Sequence, residues 1–387
     1  MAARAQCRNR HRRQAVIAGL LALLVAFMAV AIMAIAGIAA PAAARAATRA
    51  ATLPVSSSGA TQVAFSPDGS LLAGGYADGT IRLWNVASGQ AYGPVLRAGA
   101  GAAGGVTGMA FSPDGSLLAA GYGDGTIGLW AVTTGQPSSS PLQAGSAVAG
   151  VAFSPDGTLL ASAQADGTVG LWNPASGLPS GSPLQAGSAV HAVAFSPDGK
   201  LLASAGANGA VQLWDVASGQ VLGPALRAGP GAAGGTTAVV FSPDGKLLAC
   251  GYGDGTIRLW NPASGRPSGS ALRAGSAVNG LAFSPDGKLL ASADANGAVR
   301  VWIPASGQPS GSPLQAGSAV NGVAFSPDGK LASADANGAV KLWNSVPGSP
   351  GGLSLKNWII LVAAAIAIAL SVAAVTITTR DIWLARK

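Results

Sequence analysis

The amino-acid sequence predicts an all-β propeller of seven four-stranded antiparallel blades, with one transmembrane α-helix at each end of the chain. Two observations predict this architecture. A Phe-Ser-Pro-Asp-Gly segment recurs seven times at intervals of 42 or 46 residues, and a long uncharged apolar run stands on either side of the repeats. A repeat of about 40–45 residues with four short strands is typical of a propeller blade.

The first apolar run covers residues 15–40, and the preceding tail, residues 1–14, carries five arginines. Crossing a bilayer takes about 20 apolar residues, whereas the hydrophobic part of a secretory signal peptide has about 7–15. The length favours a retained signal anchor. Small residues around Ala44 also offer a signal-peptidase site, so cleavage stays open as the alternative. Residues 41–50 are predicted to be a linker.

The second run, residues 358–379, is predicted to be a transmembrane helix. Lys356 and Arg380 bracket it, and Trp358 and Trp383 flank it as interfacial indoles do. Residues 380–387 form a second basic tail. The positive-inside rule therefore places both tails in the cytoplasm and the repeats outside it, with the lipid bilayer contacted through the two runs.

Four strands are predicted in each repeat. In the first repeat, Val63–Ser66 is followed by a Pro-Asp-Gly turn and by Leu71–Ala73. The dipeptide Asp78-Gly79 is a hairpin signal, and Thr80–Trp84 forms the third strand. A short fourth strand follows a Gly/Pro/Ser loop, as in residues 141–143.

Each repeat also places one Phe and one Trp at fixed positions, which we predict to be structural core. The phenylalanines are Phe65, Phe111, Phe153, Phe195, Phe241, Phe283 and Phe325. The tryptophans are Trp84, Trp130, Trp172, Trp214, Trp260, Trp302 and Trp343.

Taken together, these units resemble the WD40-repeat β-propeller family, in its bacterial-type form, over residues 51–345. The sequence departs from that family because the Gly-His dipeptide is absent and only Trp214-Asp215 keeps the Trp-Asp pair. The family's buried His–Asp network therefore cannot form, and the blades are expected to rely on apolar packing.

The resemblance implies ring closure by an N-terminal strand, residues 51–55, lent to the last blade. It also implies that the face carrying the Pro-Asp-Gly turns lies towards the membrane, with Asp156 shielded and Asp124 accessible. Residues 346–357 are then a Gly/Pro/Ser linker. One leucine is missing from blade seven, beside Lys330. We expect this blade to be the loosest, with its second strand inverted unless a turn absorbs the deletion.

Charge and composition argue against several functions. The net charge of +8 comes from the tails, because the segment between them carries 12 Lys/Arg and 14 Asp. Nucleic acid is therefore not an expected partner. The chain has no Glu and only two His and two Cys, so no catalytic, cofactor or metal site is predicted. Asp294–Gly297 and Asp335–Gly338 resemble the start of a calcium loop, but no Glu completes either.

Two groups of residues are candidates for partner contact. A mostly polar ring stands four residues before each Phe and includes His191, Asn279 and Asn321. These residues either contact a ligand at the channel mouth or are satisfied locally at the start of a strand. Three tyrosines precede hairpin turns and either anchor an interface or pack between blades; they are Tyr76, Tyr122 and Tyr252.

The function these features favour is a membrane-anchored, non-enzymatic scaffold that binds a protein or peptide outside the cytoplasm. Three alternatives remain. The protein could be a ligand-sensing receptor that signals through a separate partner, a propeller-based hydrolase or lyase, or a structural ring without a binding surface.

Overall fold

The computed structural model of the chain describes residues 50–53, 57–97, 104–229, 234–343 and 346–347. The predicted membrane segments 15–40 and 358–379 and both basic tails lie outside these residues. No helix of sufficient length and apolarity to traverse a bilayer occurs in the described part of the chain.

The described residues form 32 strands, numbered β1–β32 in chain order. The innermost strand of each blade is β2 (Ala60–Phe65), β6 (Val106–Phe111), β11 (Val148–Phe153), β16 (Val190–Phe195), β20 (Thr236–Phe241), β25 (Val278–Phe283) and β30 (Val320–Phe325). The second strands are β3 (Leu71–Tyr76), β7 (Leu117–Tyr122), β12 (Leu160–Gln164), β17 (Leu201–Gly206), β21 (Leu248–Tyr252), β26 (Leu290–Asp294) and β31 (Leu331–Asp335). The third strands are β4 (Thr80–Asn85), β8 (Thr126–Ala131), β13 (Thr168–Asn173), β18 (Ala210–Asp215), β22 (Thr256–Asn261), β27 (Ala298–Ile303) and β32 (Val340–Trp343).

The outer strand of every blade is short; in blades one to six it pairs with the start of the third strand, and in blade seven with its middle. These outer strands are β5 (Leu96–Arg97), β10 (Leu142–Gln143), β15 (Leu184–Gln185), β19 (Leu226–Arg227), β24 (Leu272–Arg273), β29 (Leu314–Gln315) and, in blade seven, β1 (Ala51–Thr52). Four blades add a second short strand beside the end of the third: β9 (Gln136–Pro137), β14 (Leu178–Pro179), β23 (Arg266–Pro267) and β28 (Gln308–Pro309). All pairings are antiparallel, so the predicted seven four-stranded antiparallel blades are confirmed.

The core lies between blades rather than within them. Seven apolar clusters fill the seven junctions, and each joins the Trp of one blade to aliphatic residues of the blade before it. All seven repeat tryptophans are buried. Phe111, Phe241 and Phe283 are also buried, and the other four repeat phenylalanines are half-buried against the same clusters.

The ring closes by the predicted route. Strand β1 pairs with β32, placing Ala51 opposite Leu342 and Thr52 opposite Lys341, and the Leu53 amide donates to the Val340 carbonyl at 2.9 Å. The innermost strands β30 and β2 also contact each other, so blades seven and one are neighbours. Closure by an N-terminal strand is therefore confirmed, and it covers the edge that β32 would otherwise expose.

The missing residue of blade seven is absorbed by the turn. The Ser326 amide donates to the Lys330 carbonyl, four residues on, whereas Ser284 of blade six reaches Leu289, five residues on. Leu331 then pairs with Phe325 as its counterpart does in blade six. The second strand consequently keeps its facing and is not inverted.

Candidate binding surface around the central channel

Two faces of the ring differ in their loops. The proline face carries the Pro-Asp-Gly turns between first and second strands. The hairpin face carries the Asp-Gly and Asn-Gly turns between second and third strands, and the innermost strands begin there. Because β1 enters at Ala51 beside Leu342, both ends of the described propeller, near residues 50 and 346, lie at the proline-face end of blade seven.

The innermost strands line a central channel of about 160 Å³. Each carries a β-bulge one residue after its start, where the pairing register shifts. The extra residues at the bulges are Thr61, Thr107, Ala149, His191, Thr237, Asn279 and Asn321. The ring predicted from the sequence is thus a ring of bulge residues near the hairpin face.

Most bulge side chains join their blade to the next one. Five of them donate to the first carbonyl of the following innermost strand: Thr107 to Val148 at 2.5 Å, His191 to Thr236 at 3.1 Å, Thr237 to Val278 at 2.5 Å, Asn279 to Val320 at 2.9 Å and Asn321 to Ala60 at 2.8 Å. The last of these bonds crosses the seam between blades seven and one. These five side chains are therefore satisfied across the junctions between blades, and the prediction that the ring contacts a ligand stays a prediction.

The three candidate tyrosines are not exposed anchors. Tyr76, Tyr122 and Tyr252 are each 0% exposed and pack in the clusters between blades. Burial raises the pKa of Tyr76 to about 12 and also raises the pKa of Tyr252. The interpretation as surface anchors is wrong, because each tyrosine ends a second strand and its side chain is covered by the preceding blade.

Apolar packing is only part of what holds a blade together. In four blades the indole Nε1–H of the repeat Trp donates to a buried serine on the second strand. The pairs are Trp172–Ser162 and Trp214–Ser204 at 2.9 Å, and Trp302–Ser292 and Trp343–Ser333 at 3.0 Å. The expectation of purely apolar packing is therefore corrected, since a Trp–Ser hydrogen bond occupies the blade interior in which the family's network is missing.

Asp294 and Asp335 have a structural role. Asp294 is fully buried; its carboxylate accepts from the Asn296 and Ala298 amides at 3.1 and 2.9 Å and lies 3.4 Å from Arg300 Nε. Asp335 repeats this arrangement, with Lys341 Nζ at 3.4 Å. Among the described residues, no group of three His, Cys, Asp or Glu side chains is arranged to hold a metal ion.

The proline face is organised by a serine–aspartate pair in each turn. The buried Ser66 hydroxyl donates to Asp68 at 2.6 Å and accepts from the Leu71 amide at 2.9 Å. The hydrogen bond from the Ser66 hydroxyl is the main cause that lowers the pKa of Asp68 to about 2. Two clefts lie on this face, one of about 420 Å³ between blades two and three and one of about 670 Å³ between blades three and four.

A closed seven-bladed ring whose innermost strands line a central channel defines the chain as a β-propeller of the repeat-built type. A family model described as IFT122 first beta-propeller matches residues 105–366, and one described as WD domain, G-beta repeat matches residues 48–85. The chain belongs to the WD40-repeat β-propeller family. No curated protein matches it. Propellers of this family typically act as non-enzymatic scaffolds for protein–protein interaction.

Proposed function

We propose that this protein is a membrane-anchored, non-enzymatic propeller that binds a protein or peptide on the extracytoplasmic side. The hydrophobic segments 15–40 and 358–379 hold it in the cell membrane, and both basic tails remain in the cytoplasm. Family membership supports the binding role. The positive-inside pattern of the tails supports the orientation.

The observation that carries the proposal is the position of the seam. Ala51 lies opposite Leu342, so the chain enters and leaves the propeller at one end of one blade. Two anchors in a single bilayer require this arrangement. The linkers 41–50 and 346–357 span at most about 36 and 43 Å. Short tethers that both leave from the proline-face end favour the proline face towards the membrane and leave the hairpin face free for a partner.

Cysteine labelling in intact cells tests the orientation. Ala165 and Ala175 are both exposed and lie in blade three, Ala165 at the hairpin face and Ala175 at the proline face. Each is changed to Cys in a Cys7→Ser background, where the remaining Cys250 is fully buried. A membrane-impermeant maleimide should label Ala165→Cys faster than Ala175→Cys. Equal labelling overturns the facing, and labelling only after lysis overturns extracytoplasmic display.

A photo-crosslinking residue at the same two positions tests binding. An adduct of one defined mass at position 165, and not at 175, is expected if the hairpin face holds a partner. Adducts at position 175 alone would assign binding to the proline face. A chain that forms adducts at neither position would favour the structural-ring alternative.

A further inference from the structure

The sequence contains five Asn-Gly dipeptides, and the structure divides them into two groups. Asn-Gly is especially prone to deamidation, because glycine has no side chain to hinder attack of its amide nitrogen on the asparagine side-chain carbonyl. Two of the five lie in the bulges of innermost strands, and three lie in hairpin turns between second and third strands. The bulge asparagines are Asn279 and Asn321, and the turn asparagines are Asn208, Asn296 and Asn337.

The side chains of the two bulge asparagines are fixed by the neighbouring blade. The amides of Asn279 and Asn321 donate to carbonyls of the next innermost strand at 2.9 and 2.8 Å, and both residues are half-buried. All three turn asparagines are exposed. In every hairpin turn the glycine amide donates to the last carbonyl of the second strand. That bond has to open before the glycine nitrogen reacts, and it does not distinguish the three turns from one another.

Asn208 differs from the other turn asparagines in the groups that contact its two carbonyl oxygens. The Ala210 amide donates to its side-chain oxygen Oδ1 at 3.0 Å, and Arg227 Nη1 donates to its main-chain oxygen at 3.3 Å. In blades six and seven the amide equivalent to that of Ala210 donates instead to the carboxylate at the end of the second strand, Asp294 or Asp335. Blade four has glycine at that position and therefore no negative charge there.

These two hydrogen bonds reach the two oxygens that become negative during deamidation. Hydroxide removes the Gly209 amide proton, and the charge spreads onto the Asn208 main-chain oxygen, where the Arg227 guanidinium stabilises it. The nitrogen then attacks Cγ of Asn208, and the charge moves to Oδ1, where the Ala210 N–H stabilises it. The bond from Cγ to the side-chain nitrogen breaks. Ammonia leaves after taking a proton from water, which restores the hydroxide, and a succinimide ring remains.

We propose that Asn208 is a self-modification site, at which the chain converts its own asparagine to an acidic residue by reaction with water. Water adds to one of the two succinimide carbonyl carbons. Cleavage of the bond between Cγ and the Gly209 nitrogen gives aspartate, and cleavage at the other carbonyl gives isoaspartate. The products are one carboxylate on the chain and one free ammonia, and the reaction needs no oxidant or reductant.

The surroundings of position 208 suit the aspartate product. In blade five Asp254 accepts from the Thr256 amide at 2.8 Å and lies 3.8 Å from Arg273 Nη1. Arg227 occupies the position of Arg273, because each pairs with the first residue of the third strand. An aspartate in the turn of blade four therefore gains both the turn amide and an ion pair. The modification neutralises Arg227 on the hairpin face, and it goes beyond the proposed function without depending on it.

Peptide mapping by tandem mass spectrometry tests the site, on the full chain incubated in lipid nanodiscs at pH 8.5. Deamidation replaces the side-chain NH2 group by oxygen, so each of the five positions is measured separately. Conversion should be fastest at Asn208, slower at Asn296 and Asn337, and slowest at Asn279 and Asn321. It should also slow at pH 6.5, since less hydroxide is then present to remove the glycine proton.

Arg227→Gln is the matched variant, because glutamine occupies the same position in blades two, three and six, as Gln315 does. It should slow the conversion of Asn208 about two- to fivefold, the effect of losing one exposed charge beside a developing anion, and leave Asn296 unchanged. Arg273→Gln is the control and should not affect Asn208. In urea the three turn asparagines should convert at one rate, since an Ala-Asn-Gly-Ala sequence surrounds each of them.

Four results would overturn the site. They are conversion of Asn208 no faster than that of the bulge asparagines, no slowing in Arg227→Gln, equal slowing in Arg273→Gln, and a faster rate at Asn208 that persists in urea. None of these measurements involves a partner. Failure of the self-modification site therefore leaves the proposed scaffold function standing, and failure of the crosslinking experiment leaves the site standing.

Discussion

In four blades a buried serine on the second strand accepts a hydrogen bond from the indole N–H of the repeat tryptophan. The indole N–H is a donor without acceptor capacity, and inside a blade it has no access to water. In blades three, four, six and seven the second strand supplies Ser; in blades one, two and five the same position holds Gly74, Ala120 and Cys250. The latter three blades are those whose second strand ends in Tyr.

Ser292→Ala should lower the free energy of unfolding by about 1–3 kcal/mol, because it leaves the buried Trp302 N–H unpaired. Urea denaturation of the full chain measures the change. The matched control is Ser312→Ala in the same blade, which is exposed and should shift stability by less than about 0.5 kcal/mol. Equal effects of the two substitutions would contradict a role for the Trp–Ser bond.

The hairpin between the second and third strands is capped in two different ways. In blades one, two, three and five an Asp within the turn accepts the amide two residues on, as Asp78 does from Thr80 at 3.0 Å. In blades six and seven the Asp stands two residues earlier, at the strand end, and the turn itself carries Asn. Asp294 then caps the turn and pairs with Arg300. What resembles a calcium loop in sequence is therefore a displaced turn cap.

Asp294→Ala should cost about 1–3 kcal/mol of stability, because turn amides lose their buried acceptor. Adding Asn296→Asp should restore part of the loss, since it recreates the cap used in blade one. Thermal unfolding of the single and double variants checks this. A double variant no more stable than Asp294→Ala would show that the buried Asp–Arg pair, and not the cap, is what matters.

Glycine in the proline-face turns allows neighbouring turns to touch. Gly69 has φ +71°, a left-handed conformation, and a Cβ added there would lie 3.1 Å from Pro327 of the neighbouring blade. Similar contacts recur at other junctions, but Gly329 of blade seven has no such neighbour within 4 Å. This missing contact coincides with the shortened turn of blade seven. The prediction that blade seven is the loosest stays a prediction.

The outer edge of blade seven is closed by a short N-terminal segment, residues 51–53. Leu53 is buried in the cluster between blades seven and one and bonds to Val340. Leu53→Ala should lower the free energy of unfolding by about 2–5 kcal/mol and speed amide exchange in β31 and β32. Hydrogen exchange of the full chain measures both effects. Leu178→Ala, at a side chain that is 63% exposed, is the control; an equal loss in both variants would argue against the seam.

Acid should destabilise the ring through its seven turn aspartates. Their pKa values lie below the ordinary range, in six turns mainly through the serine hydroxyl and in blade seven mainly through Lys330. A lowered folded-state pKa means that the stabilisation is complete above the unfolded value of about 3.9 and is lost as the pH falls through the folded one. The thermal midpoint should therefore drop between pH 4 and pH 2.

The control is the double variant Asp68→Asn, Asp114→Asn, which lacks two of the seven titrating carboxylates. Its thermal midpoint should fall less steeply between pH 4 and pH 2. A thermal midpoint that stays level down to pH 2 would contradict the assignment. The individual contributions are small, since these carboxylates are exposed and screened by solvent, so the effect rests on seven turns acting together.

The repeat count and the strands within each blade were predictable from the sequence, whereas the closing strand was predicted from the family resemblance. Phe-Ser-Pro-Asp-Gly and Asp/Asn-Gly signals mark each turn locally, and the apolar pattern between them has room for only one arrangement of short strands. The membrane segments were predicted from uncharged runs long enough to span a bilayer. They remain predictions.

The environment of single side chains was decided only by the tertiary structure. Tyr252 and Asp294 occupy the same strand position, yet one fills a junction between blades and the other caps a turn. The bulge side chains donate to carbonyls more than 40 residues away, as Asn279 does to Val320. A local pattern specifies where the backbone turns, but burial and hydrogen bonding depend on atoms that the neighbouring blade brings into contact.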